Sequence, residues 1–211
     1  MTAPEQTKRF RETLIAEAPA YDVALTAEAL DGLSQYYELL RLWNARVHLV
    51  APCSSAEFAT RHVLESLVLL KHLPNNSSVA DIGSGGGLPI IPCLIARTDL
   101  RAVLIEATQK KVVFLREALA QTGLAARASI VNERFENVSA PPVNFVTCRA
   151  LERFEEMLPQ LFAWAPANAT LLLFGGAQLA AKIAGLGFSA TTELMPHSHG
   201  RYLFVVQNRE R

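Results

Sequence analysis

Cysteine is scarce in this 211-residue chain, and a surplus of charge of either sign is missing altogether. The three cysteines, Cys53, Cys93 and Cys148, stand far apart, with no CxxC pair and no cysteine–histidine cluster at zinc spacing. Cys93 and Cys148 sit in apolar runs and read as small core residues. Twenty Lys and Arg residues balance twenty Asp and Glu residues. That balance argues against a globally basic nucleic-acid binder, while leaving room for a local basic patch. Apolar runs reach only about ten residues, too short to cross a bilayer. The first residues, MTAPEQTKRFRET, lack the apolar stretch of a signal peptide. No histidine pair shows i,i+4 ligand spacing, so no metal site is expected. These absences predict a cytoplasmic protein with no membrane span.

What is present points to a folded enzyme-sized domain. Half the residues are hydrophobic and 19% are charged, which excludes a disordered chain. Residues 1–27 are polar and mixed, and suggest one loose helix. From Ala27 to Val50, the residues Leu30, Leu33, Tyr37, Leu40, Trp43 and Val47 recur at steps of three and four. That is one face of an amphipathic helix. Ala56 to Leu73 repeats the pattern, and Asn75–Ser78 marks a loop. The spacing therefore predicts a helical N-terminal extension over residues 1–75, and a second unit over residues 76–211.

The period changes after the loop. Strands are expected at 78–82, 101–106, 127–132, 144–148, 169–174, 188–195 and 202–208. Helices are expected at 88–96, 110–122, 154–164 and 178–186. Alternating strands and helices predict an α/β fold, with helices on both faces of a parallel sheet. The last two strands leave no room for a crossover and should pair antiparallel.

A glycine loop, Asp81–Ile–Gly–Ser–Gly–Gly–Gly–Leu–Pro89, follows the first strand and opens a helix. Gly83, Gly85 and Gly87 give G-x-G-x-G, which fits the dinucleotide fingerprint G-x-G-x-x-G poorly. Asp81 beside the loop would repel a pyrophosphate. A cationic or zwitterionic ligand suits it better, and S-adenosylmethionine, with its sulfonium and ammonium, is one. Glu106 closes the second strand, where a carboxylate can accept both ribose hydroxyls. Such charge-assisted hydrogen bonds contribute roughly 1.5–3 kcal/mol each. The competing reading is a tight turn with Glu106 capping the next helix.

The ordered set of motifs resembles the RsmG (GidB, glucose-inhibited division protein B) family of bacterial methyltransferases. The matching pieces are Trp43–Asn44, Arg61–His62 with Ser66, Asp81–Pro89, Lys110–Leu115, Arg134 with Glu136, Cys148–Ala150 and Arg201–Val206. The resemblance implies a Rossmann-like class I S-adenosylmethionine-dependent methyltransferase with a seven-stranded, mostly parallel sheet and an antiparallel last strand. It implies methylation of N7 of a guanine in 16S rRNA, with that RNA or an assembling 30S particle as partner. Its cofactor contacts fall on Gly83, Leu88, Phe135, Glu136 and Arg149, with Glu106 as the ribose ligand. Asp81 and Gly85 complete the expected cofactor set. The chain departs from the family at Glu65, where aspartate is common, and at Phe174–Gly175–Gly176, where a lysine is missing.

Guanine N7 carries a lone pair and no proton, so no general base is required. Arg149, at the tip of the fourth strand, is the candidate catalytic residue, holding a phosphate, the base O6 or the cofactor carboxylate. The competing reading is a salt bridge to Glu152 or Glu136. Arg61, His62, Lys110, Lys111, Arg134, Arg153 and Arg201 are candidate RNA contacts. Trp43 and the Tyr36–Tyr37 pair read as core. A monomer is expected. A small-molecule methyltransferase and a non-catalytic nucleotide-binding module are the rival readings.

Overall fold

In the computed structural model, which describes residues 2–149 and 154–208, seven strands form one sheet. Arg153 and Glu152 lie outside the described residues. The strands are β1 (Ser78–Ile82), β2 (Arg101–Ile105), β3 (Ala128–Val131), β4 (Phe145–Arg149), β5 (Thr170–Gly175), β6 (Ala190–Leu194) and β7 (Tyr202–Gln207). Their order is β3-β2-β1-β4-β5-β7-β6. The first five pair in parallel. The strand β7 runs antiparallel to both β5 and β6. The expected antiparallel closing hairpin is present, and β7 inserts between β5 and β6.

The central strands are largely apolar on both faces because both faces are covered, while the edge strands β3 and β6 are more exposed. Val79, Leu104 and Leu172 pack into one hydrophobic cluster, while Ala80, Ile82, Ile105, Leu171 and Leu173 pack into the other. That is the period of two of a β-strand read directly as burial. The first cluster also contains α1 (Ala3–Glu17) and α2 (Ala27–Val47), through Phe10, Leu14, Leu33, Tyr36 and Leu40. Helix α1 is not loose: Phe10 and Leu14 are fully buried, and Phe10 stacks on Tyr37 with centroids 4.3 Å apart.

Between α2 and the sheet, one regular helix is expected but a segmented one is found. It comprises α3 (Ser55–Glu57), a π-helical stretch Phe58–Leu64, α4 (Glu65–Leu67) and a 3₁₀ turn Val68–His72. Arg149, arriving from β4, donates to the carbonyls of Arg61 and His62 inside this segment. That contact is tertiary, so no local periodicity carries it. The remaining helices are α5 (Ile90–Ala96), α6 (Gln109–Gln121), α7 (Phe154–Trp164) and α8 (Gln178–Gly185).

Candidate active site

The strand order reverses between β1 and β4, and a crevice at such a switch point is where open α/β sheets hold ligands. The glycine loop leaves β1 at this point. Gly83, Gly85 and Gly87 have φ of 67°, 53° and 79°, the left-handed region that glycine enters at no steric cost. The amides of Gly83 and Ser84 both donate to the Ile105 carbonyl, at 2.9 and 3.2 Å, so the loop folds back over the end of β2.

Glu106 faces this loop. It is 6% exposed, and its Oε2 accepts from the Gly85 N–H at 2.9 Å while Oε1 accepts from the Thr108 N–H at 2.7 Å. Asn132 donates to the Glu106 carbonyl at 3.0 Å and ties its backbone to the end of β3. A carboxylate oxygen has two lone pairs, so each oxygen can still accept from a ligand hydroxyl. The capping reading is also partly realised, because Thr108 is the N-cap residue of α6.

Asp81 is fully buried, and neither carboxylate oxygen has a hydrogen-bond partner among the described residues. Buried polar groups are nearly always paired, so an orphaned carboxyl marks a site awaiting a partner. Burial pushes its pKa well above the ordinary 3.8, the nearby Ser84 hydroxyl pulls the other way without reversing the rise, and the Glu106 carboxylate adds to it. Tyr36, also fully buried, is raised well above 10 by burial and by Asp81, and its hydroxyl donates to the Gly86 carbonyl. A methyl group on Gly86 would stand 3.4 Å from both Leu40 and Leu49. The helical extension thus forms the back wall of the loop. A buried acid without a partner, a glycine cradle and a second carboxylate suit a ligand with a positive centre and vicinal hydroxyls.

The raised Asp81 pKa has a signed consequence for stability. The folded state holds the proton more tightly than the unfolded state. Stability is therefore fully present below about pH 4 and is lost as pH rises from there through the folded value. Asp81→Asn cannot ionise. In thermal melts of the ligand-free protein from pH 4 to pH 8, its Tm is expected to fall less than that of the unaltered protein. Parallel Tm profiles would refute the assignment.

The other expected cofactor residues are placed unevenly. Leu88 is 8% exposed and packs into the first core cluster. The Phe135 side chain is buried edge-on to Trp164, centroids 5.7 Å apart. Glu136 is exposed. Arg149 stands at the end of β4, and among the described residues its salt-bridge partner is not Glu136, while Glu152 lies outside them. Arg149 pairs with Glu65, Nη2 to Oε2 at 3.1 Å. Its Nη1 donates to Ser66 Oγ at 3.2 Å and to the His62 carbonyl at 3.4 Å. Its guanidinium lies over the Phe174 ring at 5.1 Å. Burial lowers its pKa.

The basic candidates flank the crevice on two sides. Lys110 and Lys111, in the first turn of α6, and the exposed Arg134, just past β3, stand on the β2–β3 side. Arg61, His62 and Arg201 stand on the other, around the π-helical stretch and the start of β7. Arg61 is paired with Glu57. Burial pulls the His62 pKa down to about 4, and the charges of Arg149 and Arg61 add to that, so its imidazole is neutral at pH 7. Its ring packs against Phe58 with centroids 5.1 Å apart.

Two participants escape a reading of the sequence. Tyr36 sits on the apolar face of α2 and looks like core. Glu65 looks like a family variant, yet a lone acid inside Val63–Leu70 is a visible sign of a buried ion pair, since Glu is almost never buried unpaired.

Comparison with known proteins gives the family and the fold. A sequence model of the GidB family, described as rRNA small subunit methyltransferase G, matches residues 29–203. The chain is 34% identical over 154 residues to "Ribosomal RNA small subunit methyltransferase G" of Neisseria gonorrhoeae, covering 73% of this chain and 72% of that one. It is 37% identical over 134 residues to the protein of the same name from Gluconobacter oxydans, covering 64% and 68%. In fold it is similar to a SAM dependent methyltransferase from Aquifex aeolicus, with a TM-score of 0.58, 13% identity and coverage of 82% and 97%. With a family match over most of its length and a glycine loop, Asp81 and Glu106 at the switch point, this chain belongs to the GidB family, rRNA small subunit methyltransferase G.

Proposed function

We propose that this protein transfers the methyl group of S-adenosylmethionine to N7 of a guanine in 16S rRNA, in the bacterial cytoplasm and as a monomer. The observation that carries the cofactor assignment is the orphaned, fully buried Asp81 carboxyl beneath the glycine loop. Asp81 supplies negative charge near the donor's cationic groups, Gly83 and Gly85 allow close approach of the backbone, and Glu106 takes the ribose hydroxyls. Leu88, Phe135 and Glu136 complete the wall of the cofactor site. When bound, the donor supplies an electrophilic methyl on a sulfonium.

The acceptor needs no deprotonation, because guanine N7 offers a free lone pair. Positioning then dominates, and good alignment can contribute on the order of 7–11 kcal/mol. Arg149 is engaged through both Nη atoms by the π-helical stretch and Glu65, so it shapes the crevice wall. Lys110, Lys111 and Arg134 on one side, and Arg61, His62 and Arg201 on the other, supply the RNA contacts. The balanced net charge is no obstacle, since a local group of cations, Lys110, Lys111 and Arg134 with Arg61 and Arg201, is enough for phosphate contacts.

The test uses 30S subunits and naked 16S rRNA from cells lacking the gene, incubated with the protein and methyl-labelled S-adenosylmethionine. Labelled 7-methylguanosine is expected after digestion to nucleosides. Label in another nucleoside would overturn the N7 assignment. Cofactor binding without any label in RNA would favour a small-molecule acceptor.

A further inference from the structure

Glu65 sits in an apolar stretch, with Val63, Leu64, Leu67 and Val68 all fully buried, and is itself 1% exposed. A carboxylate there costs several kcal/mol unless it is paired and hydrogen-bonded. Two arginines pair with it. Arg149 approaches Oε2 at 3.1 Å, and Arg201 approaches Oε1 with Nε at 2.8 Å and Nη2 at 2.7 Å. The three residues come from the helical extension, the end of β4 and the turn before β7. One negative charge thus holds two positive ones, and the trio keeps a net positive charge.

The two arginines are unequal. The Arg149 side chain is 15% exposed, and both its Nη atoms donate to protein oxygens. The Arg201 side chain is 39% exposed, and no described residue accepts from its Nη1. Among the described residues Arg201 therefore has a donor left for an anion, and its orientation is fixed from behind. Glu65 directly follows the π-helical stretch Phe58–Leu64, a rare conformation frequent at functional sites.

We propose that Glu65 is a positioning residue for RNA: by clamping Arg201 against the Arg149 strut, it sets where the Arg201 guanidinium meets a phosphate. This rests on the rRNA reading above. A carboxylate beside a polyanion opposes binding by its charge alone, so a bystander and a positioning residue predict opposite signs. That opposition makes the idea testable.

The experiment compares Glu65→Gln, Arg201→Lys and Arg201→Ala with the unaltered protein. It measures 30S methylation kinetics, RNA affinity against salt, and S-adenosylmethionine affinity by calorimetry. Glu65→Gln is expected to lower kcat/KM for 30S on the order of ten- to a hundredfold, as a misplaced contact does. RNA binding should weaken, and S-adenosylmethionine affinity should be unchanged. Arg201→Lys keeps the charge but loses the fork, so it should lower kcat/KM much as Arg201→Ala does, while the salt slope falls by about one only for Arg201→Ala. If Glu65→Gln fails to show a cooperative melt, Arg201→Lys decides alone. Tighter RNA binding by Glu65→Gln, or an Arg201→Lys protein equal to the unaltered one, overturns the proposal. If the unaltered protein binds S-adenosylmethionine yet labels no RNA, the functional reading itself fails and takes this proposal with it.

Discussion

Glu106→Ala is expected to weaken S-adenosylmethionine binding by roughly 1.5–3 kcal/mol for each charged hydrogen bond it removes, about ten- to a hundredfold in Kd for one. Two losses combine. The ligand loses an acceptor for its ribose hydroxyls, and the Gly85 and Thr108 amides lose their partner. The second loss separates this substitution from Glu106→Gln. An amide oxygen can still accept one of those N–H groups, so Glu106→Gln should fall between alanine and glutamate. The glycine loop is the part that loosens, because Gly85 otherwise has a left-handed φ and no side chain to anchor it. Isothermal calorimetry with S-adenosylmethionine and S-adenosylhomocysteine measures the effect. A Kd equal to that of the unaltered protein would remove Glu106 from the ribose site.

Gly87→Ala should be the most damaging single methyl group in the loop. Its φ of 79° costs an L-residue about 1–2 kcal/mol. An added Cβ would stand 2.3 Å from Ile91 Cδ1 and 2.7 Å from Ile91 Cγ1. Ile91 is fully buried, so relief requires repacking the core, typically about 1–3 kcal/mol. A total loss of about 2–5 kcal/mol follows, read from chemical denaturation, together with a weaker cofactor Kd. The clash and the backbone strain can be told apart. In Gly87→Ala/Ile91→Ala both crowded atoms are gone, so the double variant should lose less stability than the two single losses added together. Simple additivity would mean that the contact with Ile91 is not the cause.

Much of this molecule is legible in its sequence. The alternation of strands and helices, the antiparallel closing hairpin and the loop after Asp81 all follow from local period and turn chemistry. Strand limits shift by only a residue or two. Glu106, for example, falls just beyond β2 (Arg101–Ile105) and not within it. The burial of Cys93 and Cys148 was likewise visible in their apolar surroundings. Less legible were α1, whose polar composition hides the buried Phe10 and Leu14, and the segment 55–72, whose apolar spacing reads as one helix. In both cases the deciding contacts come from residues far away in the chain.

Sequence by itself determined which groups this protein brings to its chemistry: the glycines, the two carboxylates and the cations at the strand ends. Their types and spacing depend only on short-range backbone geometry and on the parallel sheet that the pattern demands. Tertiary structure alone decided how those groups are partnered. It left Asp81 unpaired among the described residues, aimed Glu106 at Gly85, and tied Arg149 and Arg201 to one buried glutamate. Ion pairing and desolvation act through space between segments more than 80 residues apart, as from Glu65 to Arg149. No local pattern in the chain encodes such a distance.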